Sequence, residues 1–161
     1  MKKLRQPTSL GCFACGRNNP VGLHLEWFNN YDEHQVETTF TLDDNYSSYP
    51  GTMHGGIIAT ILDETSVRAI LLDNDFNRLM VTLKIEMFCK KNTPTNTPLK
   101  AVGRVLKDSG SRAQVEGEII LPDGTVSAKC TSILYKIPQA VKDKWGPEAD
   151  EWLRTTPKVE E

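Results

Sequence analysis

The chain has 161 residues, a length that suits a single domain. Hydrophobic residues make up 39% and charged residues 25%, as expected of a soluble globular protein, and the net charge of −2 argues against partners such as nucleic acid or anionic membranes. No apolar run approaches the roughly 20 residues of a bilayer-spanning helix, and the basic start lacks the apolar stretch of a secretory signal, so we expect a cytoplasmic protein with reduced cysteines.

A hairpin is the first predicted structure, after a polar start over residues 1–11 that is expected to be loosely held. Residues 23–28 begin with alternating apolar and polar side chains, and residues 36–42 are rich in β-branched side chains, so both segments are predicted strands. Residues 29–33, Asn-Asn-Tyr-Asp-Glu, have the composition of a turn. The two strands are therefore predicted to pair, and residues 43–50 form a polar connection to the next element.

One long helix is predicted from about Gly55 to Leu72. Apolar side chains recur three or four positions apart along it, which is helical spacing. They occupy much of the helix circumference: Ile57, Ile58, Ile61, Leu62, Val67, Ile70, Leu71 and Leu72. A helix with so broad an apolar surface is expected to be buried.

Four further strands follow in the prediction, over residues 79–89, 99–106, 113–121 and 126–137. Turn residues separate the last three of them. One buried helix against an antiparallel sheet predicts an α+β fold. After Pro138, a C-terminal helix is expected over residues 139–154, broken near Gly146 and Pro147.

The start of the long helix carries the strongest functional signal. Residues 49–56, Tyr-Pro-Gly-Thr-Met-His-Gly-Gly, form a turn that leads directly into the helix. The first N–H groups of a helix have no partner inside it, and Gly55 and Gly56 leave them uncovered for a negative charge or a polarised carbonyl oxygen. Two turns later Asp63 places a carboxylate among apolar residues, where burial is unfavourable unless the group is paired or used.

These motifs resemble those of hotdog-fold acyl-CoA thioesterases, most closely the phenylacetate-degradation (PaaI-like) group. The first motif is His54-Gly55-Gly56 followed by apolar residues and by Asp63, nine positions after the histidine. The second is residues 12–16, Cys-Phe-Ala-Cys-Gly, followed by residues 19–23, Asn-Pro-Val-Gly-Leu.

The resemblance covers residues 12–136 and implies a hotdog fold, in which a curved antiparallel sheet wraps around one central helix. We therefore expect a single hotdog domain over residues 1–161, with an N-terminal cap segment at 1–22 and a C-terminal helical extension at 138–161.

The resemblance also implies a reaction, hydrolysis of an acyl-CoA thioester to a free acid and CoA. Asp63 would be the general base or the nucleophile. Gly55 and Gly56 would donate backbone N–H groups to the thioester carbonyl, and His54 would orient or polarise the reacting groups. Thr82, on the strand after the helix, would place a hydroxyl near the thioester or the attacking water.

Substrate contacts are expected at five further positions. Ser48 stands where many family members carry Asn or Gln, and Ile58 and Leu62 would contact the acyl group. Lys90 and Lys91, at the end of the first strand after the helix, would contact the CoA phosphates. The next acidic residue, Glu64, lies about 100° around the helix from Asp63 and is expected at a dimer contact or on the surface.

The family places its active site between two subunits, so a homodimer or a dimer of dimers is the expected assembly. No metal or cofactor is expected besides the CoA of the substrate. The opening with Cys12 and Cys15 recurs in the family, so the resemblance implies that it forms a packed N-terminal cap, and zinc would normally need two more ligands. A non-catalytic acyl-CoA-binding module and a hotdog dehydratase or hydratase stay as alternatives. The acyl group, and the role of Trp145 and Trp152, are left open.

Overall fold

The computed structural model describes residues 3–157, in which a seven-stranded antiparallel sheet curves around one long helix. The strands are β1 (Lys3–Arg5), β2 (Phe28–Asn30), β3 (Gln35–Phe40), β4 (Met80–Cys89), β5 (Leu99–Asp108), β6 (Arg112–Ile120) and β7 (Val126–Lys136). The helices are α1 (Gly55–Ala69), α2 (Gln139–Lys142) and α3 (Pro147–Arg154), with 3-10 turns at Asp44–Tyr46 and Ile70–Asp73. The strand order is β1-β2-β3-β5-β6-β7-β4, which leaves β4 at one edge. Among residues 3–157, no helix combines the length and apolar character needed to cross a bilayer.

Helix α1 lies against the concave face of the sheet, mainly over β5 and β6. Two glycines, Gly103 and Gly117, are paired across these strands directly below the helix. A Cβ atom at Gly103 would lie 2.8 Å from the Thr65 carbonyl oxygen, and one at Gly117 would lie 3.0 Å from the Cys130 sulfur. The helix can approach this closely because both positions lack a side chain, and Leu62 is completely buried at the contact.

The α+β class and the hotdog fold predicted from the sequence are confirmed. The start of the chain differs from the prediction, because residues 3–5 form a strand and Gln6, Pro7 and Thr8 are buried. Residues 23–27 are not a strand. The N–H groups of Leu23 and Leu25 instead donate to carbonyl groups of the N-terminal segment. Residues 1, 2 and 158–161 lie outside the described part of the chain.

Strand β4 contains a bulge that changes which side chains face α1. Thr82 pairs with Leu134 and Lys84 with Ile133, so Leu83 has no partner opposite it. Before the bulge, even-numbered side chains face inward, and after it odd-numbered ones do. Val81 and Leu83 are therefore 44% and 60% exposed, whereas Ile85 and Met87 pack against the core. Bulges commonly re-aim side chains beside functional sites.

The N-terminal segment and the C-terminal helices are bound to each other beside α1. The N–H of Thr8 donates to Thr155 Oγ1 at 3.1 Å, and the N–H of Leu10 donates to Glu148 at 2.7 Å. The predicted C-terminal helix is present as two short helices, α2 and α3, divided before Pro147. The extension therefore covers one side of the central helix.

Candidate active site

The turn before α1 presents an uncovered backbone donor. His54 is the N-cap residue, and its Nδ1 accepts a hydrogen bond from the Gly56 N–H at 2.9 Å. The Gly56 N–H is thus engaged, whereas the Gly55 N–H has no partner within residues 3–157. All three residues are exposed. Of the two glycine donors expected from the sequence, the structure leaves Gly55 open to a ligand.

Asp63 lies further along α1, on the wall of an open cavity. Thr82 Oγ1 donates a hydrogen bond to Asp63 Oδ1 at 2.6 Å, which orients the carboxylate and leaves its second oxygen open. The cavity has a volume of about 440 Å³. Its lining comes from α1 and β4: Ala59, Thr60, Asp63, Thr82, Leu83, Lys84 and Ile85. Within the described residues Asp63 makes no salt bridge, so its charge is not neutralised by a neighbouring cation.

Gly55 and Asp63 of one chain cannot act on the same carbonyl group. They are eight residues apart on one helix, which separates them by about 12 Å along its axis at 1.5 Å per residue. A hydrogen bond to the carbonyl oxygen and attack on the adjacent carbon need groups only about 3 Å from the reacting atoms. One chain therefore supplies the N–H donor of such a site at Gly55 and the carboxylate of such a site at Asp63, in two different places.

The other expected substrate-binding residues are distributed unevenly. Ile58 and Leu62 are buried in the core against the sheet, so they do not line the cavity beside Asp63. Ser48 is exposed on the turn before α1. Lys90 and Lys91 are exposed after β4, and their loop adjoins that turn, since the Met53 N–H donates to the Thr93 carbonyl.

The opposite face of α1 is closed by a buried charge pair that the sequence did not reveal. Arg68 Nε donates to Glu64 Oε1 at 2.8 Å, and Arg68 also donates to the Pro7 carbonyl. Its guanidinium lies 5.3 Å from the ring of Trp27 and 4.9 Å from that of Trp152, distances suited to cation–π attraction. The sequence placed Glu64 at a dimer contact or on the surface; of these, the surface position is wrong, because the side chain is only 18% exposed and is paired with Arg68.

Two thiols approach this charge pair. The sulfur atoms of Cys12 and Cys15 and a carboxylate oxygen of Glu64 all lie within 4.8 Å of one another. A hydrogen bond from Cys12 lowers the pKa of Cys15 to about 6, with help from Arg68 and against the effect of burial. The same hydrogen bond, together with burial and Glu64, raises the pKa of Cys12. The three residues line a cavity of about 520 Å³ whose other walls include Trp145 and Trp152.

With this geometry in place, the chain can be compared with known proteins. The family model of the thioesterase superfamily matches residues 50–128, which include α1 and strands β4, β5 and β6. The match contains the His-Gly-Gly turn, Asp63 and Thr82. The matched residues are just under half of the chain, and the match agrees with the resemblance to hotdog thioesterases that the motifs in the sequence suggested. No curated protein matches the chain significantly.

Solved structures share the fold. The thioesterase superfamily protein RHA08564 superposes with a TM-score of 0.68 at 22% identity, covering 77% of this chain, which spans only 59% of that protein's length. The E. coli PaaI protein of the phenylacetic acid degradation operon superposes with a TM-score of 0.59 at 14% identity, and the match covers 65% of this chain and 74% of that protein. A hypothetical thioesterase of Streptococcus pneumoniae, solved with coenzyme A, superposes with a TM-score of 0.56 at 19% identity. That match covers 64% of this chain and 78% of the pneumococcal protein.

Proposed function

We propose that this protein is an acyl-CoA thioesterase that hydrolyses its substrate to a free acid and CoA. The observation that carries the proposal is Asp63, which is oriented by Thr82, lies at an open cavity and has no cationic partner among the described residues. The match to the thioesterase superfamily model supports the same reaction, as does the coenzyme A bound by the pneumococcal structural neighbour.

In the proposed reaction Asp63 is the general base for a water molecule. It takes a proton from the water as the oxygen attacks the thioester carbon, and the Gly55 N–H stabilises the charge that develops on the carbonyl oxygen. The C–S bond then breaks, and the proton returns from Asp63 to the departing thiolate. His54 holds the turn by capping α1. Direct attack by Asp63 on the thioester is the alternative. It expels the thiolate and forms an Asp63–acyl anhydride, and attack of labelled water on the aspartyl carbon of that anhydride would leave ¹⁸O in the Asp63 carboxylate.

The 12 Å separation of Gly55 and Asp63 supports a site shared by two subunits, so we propose a homodimer. Strand β4 is at the sheet edge, and its exposed side chains include Leu83 at 60% and Phe88 at 65%. Edge strands with exposed apolar residues are ready to pair with another chain. If the β4 strands of two chains pair antiparallel, the C-terminal end of β4 in one chain lies beside the N-terminal half of β4 in the other. The first of these adjoins the start of α1, and the second carries Thr82. Two such dimers could form the tetramer.

CoA would extend from this shared site toward the loop after β4. Lys90 and Lys91 are exposed there and are suited to phosphate groups, since lysine binds phosphate as a compact point charge. Ser48, on the neighbouring turn, is proposed to contact the same substrate. A cytoplasmic location is part of the proposal, because Cys12, Cys15, Cys89 and Cys130 are all free thiols, as in a reducing compartment.

The test is thiol release from a panel of aryl-CoA and short- to long-chain alkyl-CoA substrates, with Asp63→Asn as the variant. General bases typically contribute about 10²–10⁴-fold, so kcat should fall by that factor while acyl-CoA binding persists. The control is Asp32→Asn, the same chemical change on an exposed turn, which should keep wild-type turnover. Binding without turnover in the wild type would instead support the acyl-CoA-binding module, and hydration of an added enoyl-CoA without thiol release would support the hydratase.

Mixing variants tests the shared site. Asp63→Asn chains lack the base, and Gly55→Pro chains lack the N–H donor, so neither homodimer has an intact site. A mixed dimer has one intact site of two, and an equal mixture should regain about one quarter of the wild-type rate. If the two inactive variants exchange subunits but the mixture regains no hydrolytic activity, the result would contradict a site built from both chains.

A further inference from the structure

We propose that Cys12, Cys15 and Glu64 form a binding site for one zinc ion, separate from the hydrolytic site around Asp63. The two thiol sulfurs and one carboxylate oxygen lie within 4.8 Å of one another. Two sulfur ligands and one oxygen ligand around a tetrahedral zinc ion are about 3.5–3.8 Å apart, given bond lengths of about 2.3 Å to sulfur and 2.0–2.2 Å to oxygen. The three atoms would therefore need to approach one another by at most about 1.3 Å to bind the ion.

The cysteine turn is held in a conformation suited to a metal. The Gly16 N–H donates to the Cys12 carbonyl at 2.8 Å, and a Cβ at Gly16 would lie 2.3 Å from that oxygen, so only glycine fits. The Ala14 N–H points to Cys12 Sγ at 3.3 Å, and the Ser9 hydroxyl lies 3.7 Å from Cys15 Sγ. Such contacts orient sulfur ligands and stabilise their charge in metal sites.

Glu64 has one carboxylate oxygen that is available to bind a metal ion. Its Oε1 accepts the hydrogen bond from Arg68 Nε at 2.8 Å, and its other oxygen has no hydrogen-bond donor within residues 3–157. Glu64 thus matches the arrangement in which a ligating carboxylate is held by a second residue. Sequence spacing did not point to it, because it lies about fifty positions from the cysteines.

Charge balance favours a divalent ion here. Glu64 and Arg68 already neutralise each other in a buried place where a net charge would be unfavourable. Cysteines bind zinc as thiolates, so the two positive charges of one Zn²⁺ balance the two thiolates and leave the whole cluster neutral. The buried arginine is therefore compatible with the metal.

The fourth coordination position faces open space. All three ligands line the cavity of about 520 Å³ that Trp145 and Trp152 help to enclose. Structural zinc sites are usually closed by four protein ligands, whereas sites with three keep a position for water or another small ligand. We therefore expect a water molecule as the fourth ligand.

The first test is Co²⁺ uptake by the full chain after reduction and chelation. We expect one ion per chain, a near-ultraviolet thiolate-to-cobalt charge-transfer band, displacement by Zn²⁺ and release of thiol protons on binding. Cys12→Ser and Cys15→Ser should remove the band, and Glu64→Gln should weaken binding by about tenfold or more. The matched control, Cys89→Ser, changes an exposed thiol on β4 and should bind as the wild type does.

A second measurement needs no variant and so does not depend on how the serine variants fold. Zn²⁺ should slow alkylation of Cys12 in the wild-type chain, followed by mass spectrometry of its peptide, and should leave Cys89 unaffected. Absence of cobalt uptake by the reduced wild type, or equal alkylation of Cys12 with and without Zn²⁺, would overturn the proposal. Because neither readout uses thioester hydrolysis, a failure here leaves the proposed thioesterase function untouched.

Discussion

Two consecutive residues of α1 carry the same chemical group into opposite surroundings. Asp63 lies beside the open edge strand β4, where its only described side-chain partner is the Thr82 hydroxyl. Glu64 lies under the N-terminal and C-terminal segments, where Arg68 neutralises its charge. The two faces of one helix thus separate a carboxylate that stays available for chemistry from one that is fixed by a cation.

The contrast explains how a buried helix can hold two acidic residues side by side. Burial of a charge is unfavourable unless the charge is paired, and the closed face meets this condition with a guanidinium held between two tryptophan rings. The open face meets it by keeping the carboxylate half-exposed at a cavity. The two faces are therefore expected to respond to mutation in different observables, stability on one and turnover on the other.

The largest effect is expected on the closed face. Arg68→Met removes a buried cation and leaves Glu64 without its partner, so the free energy of unfolding should fall by about 3–5 kcal/mol in urea denaturation. Arg104→Met is the control, because its ion pairs with Glu116 and Glu118 are partly exposed, and it should cost about 1 kcal/mol or less. Equal losses in the two variants would contradict the distinction between the faces.

On the open face, Gly55→Pro should lower kcat by about 10²–10³-fold, because it removes one N–H donor. Gly55 is the first residue of α1, a position that proline suits, and His54 before it has φ −62° and ψ 134°, as a residue before proline requires. Gly55→Ala keeps the N–H, and its Cβ would meet nothing within 4 Å. Similar losses of kcat in both variants would argue for added bulk as the cause and against the donor.

A smaller loss is expected when the orienting hydroxyl is removed. Thr82→Val should lower kcat by about 10- to 100-fold, since a hydrogen bond to a charged group is worth about 1.5–3 kcal/mol. Thr82→Ser keeps the hydroxyl and should restore most of the turnover, while thermal melting temperatures of both variants stay close to wild type. If serine fails to rescue kcat, the methyl group rather than the hydroxyl is the important feature.

The smallest effect concerns the helix start. His54→Ala removes the N-cap acceptor of the Gly56 N–H, so the free energy of unfolding should fall by about 0.5–2 kcal/mol. His54→Asn supplies another good capping side chain and should recover that stability. Recovery of stability without recovery of kcat would show that the imidazole takes part in the reaction beyond its capping role.

The sequence predicted the order of the main elements because periodicity is a local property. Apolar spacing located α1, and β-branched runs located most strands. Strand β1 was missed, since Lys3–Arg5 carries no pattern of its own and exists by pairing with β2. The bulge at Leu83 was missed for a related reason, because it is defined by the partner strand β7 rather than by any residue of β4.

The residues of the candidate sites also differ in whether a local sequence pattern could identify them. Motif spacing identified Gly55 and Asp63, and the family resemblance suggested Thr82, which the structure brings against Asp63. Ile58 and Leu62 were expected at the acyl group, but hydrophobic spacing cannot separate a cavity wall from a core, and both are core residues. The cluster of Glu64 with Cys12 and Cys15 depends on long-range packing of the cap, so no local pattern could indicate it.

The contact between the two ends of the described chain has a consequence for biosynthesis. Thr8 is hydrogen-bonded to Thr155, 147 positions later. A ribosome adds about 5–20 residues per second, so the segment that carries the two cap thiols waits on the order of ten seconds for the helix that holds it. Strands β5, β6 and β7 can pair before then, because they are neighbours in sequence. The nascent domain therefore completes its sheet first and shields its cap thiols last.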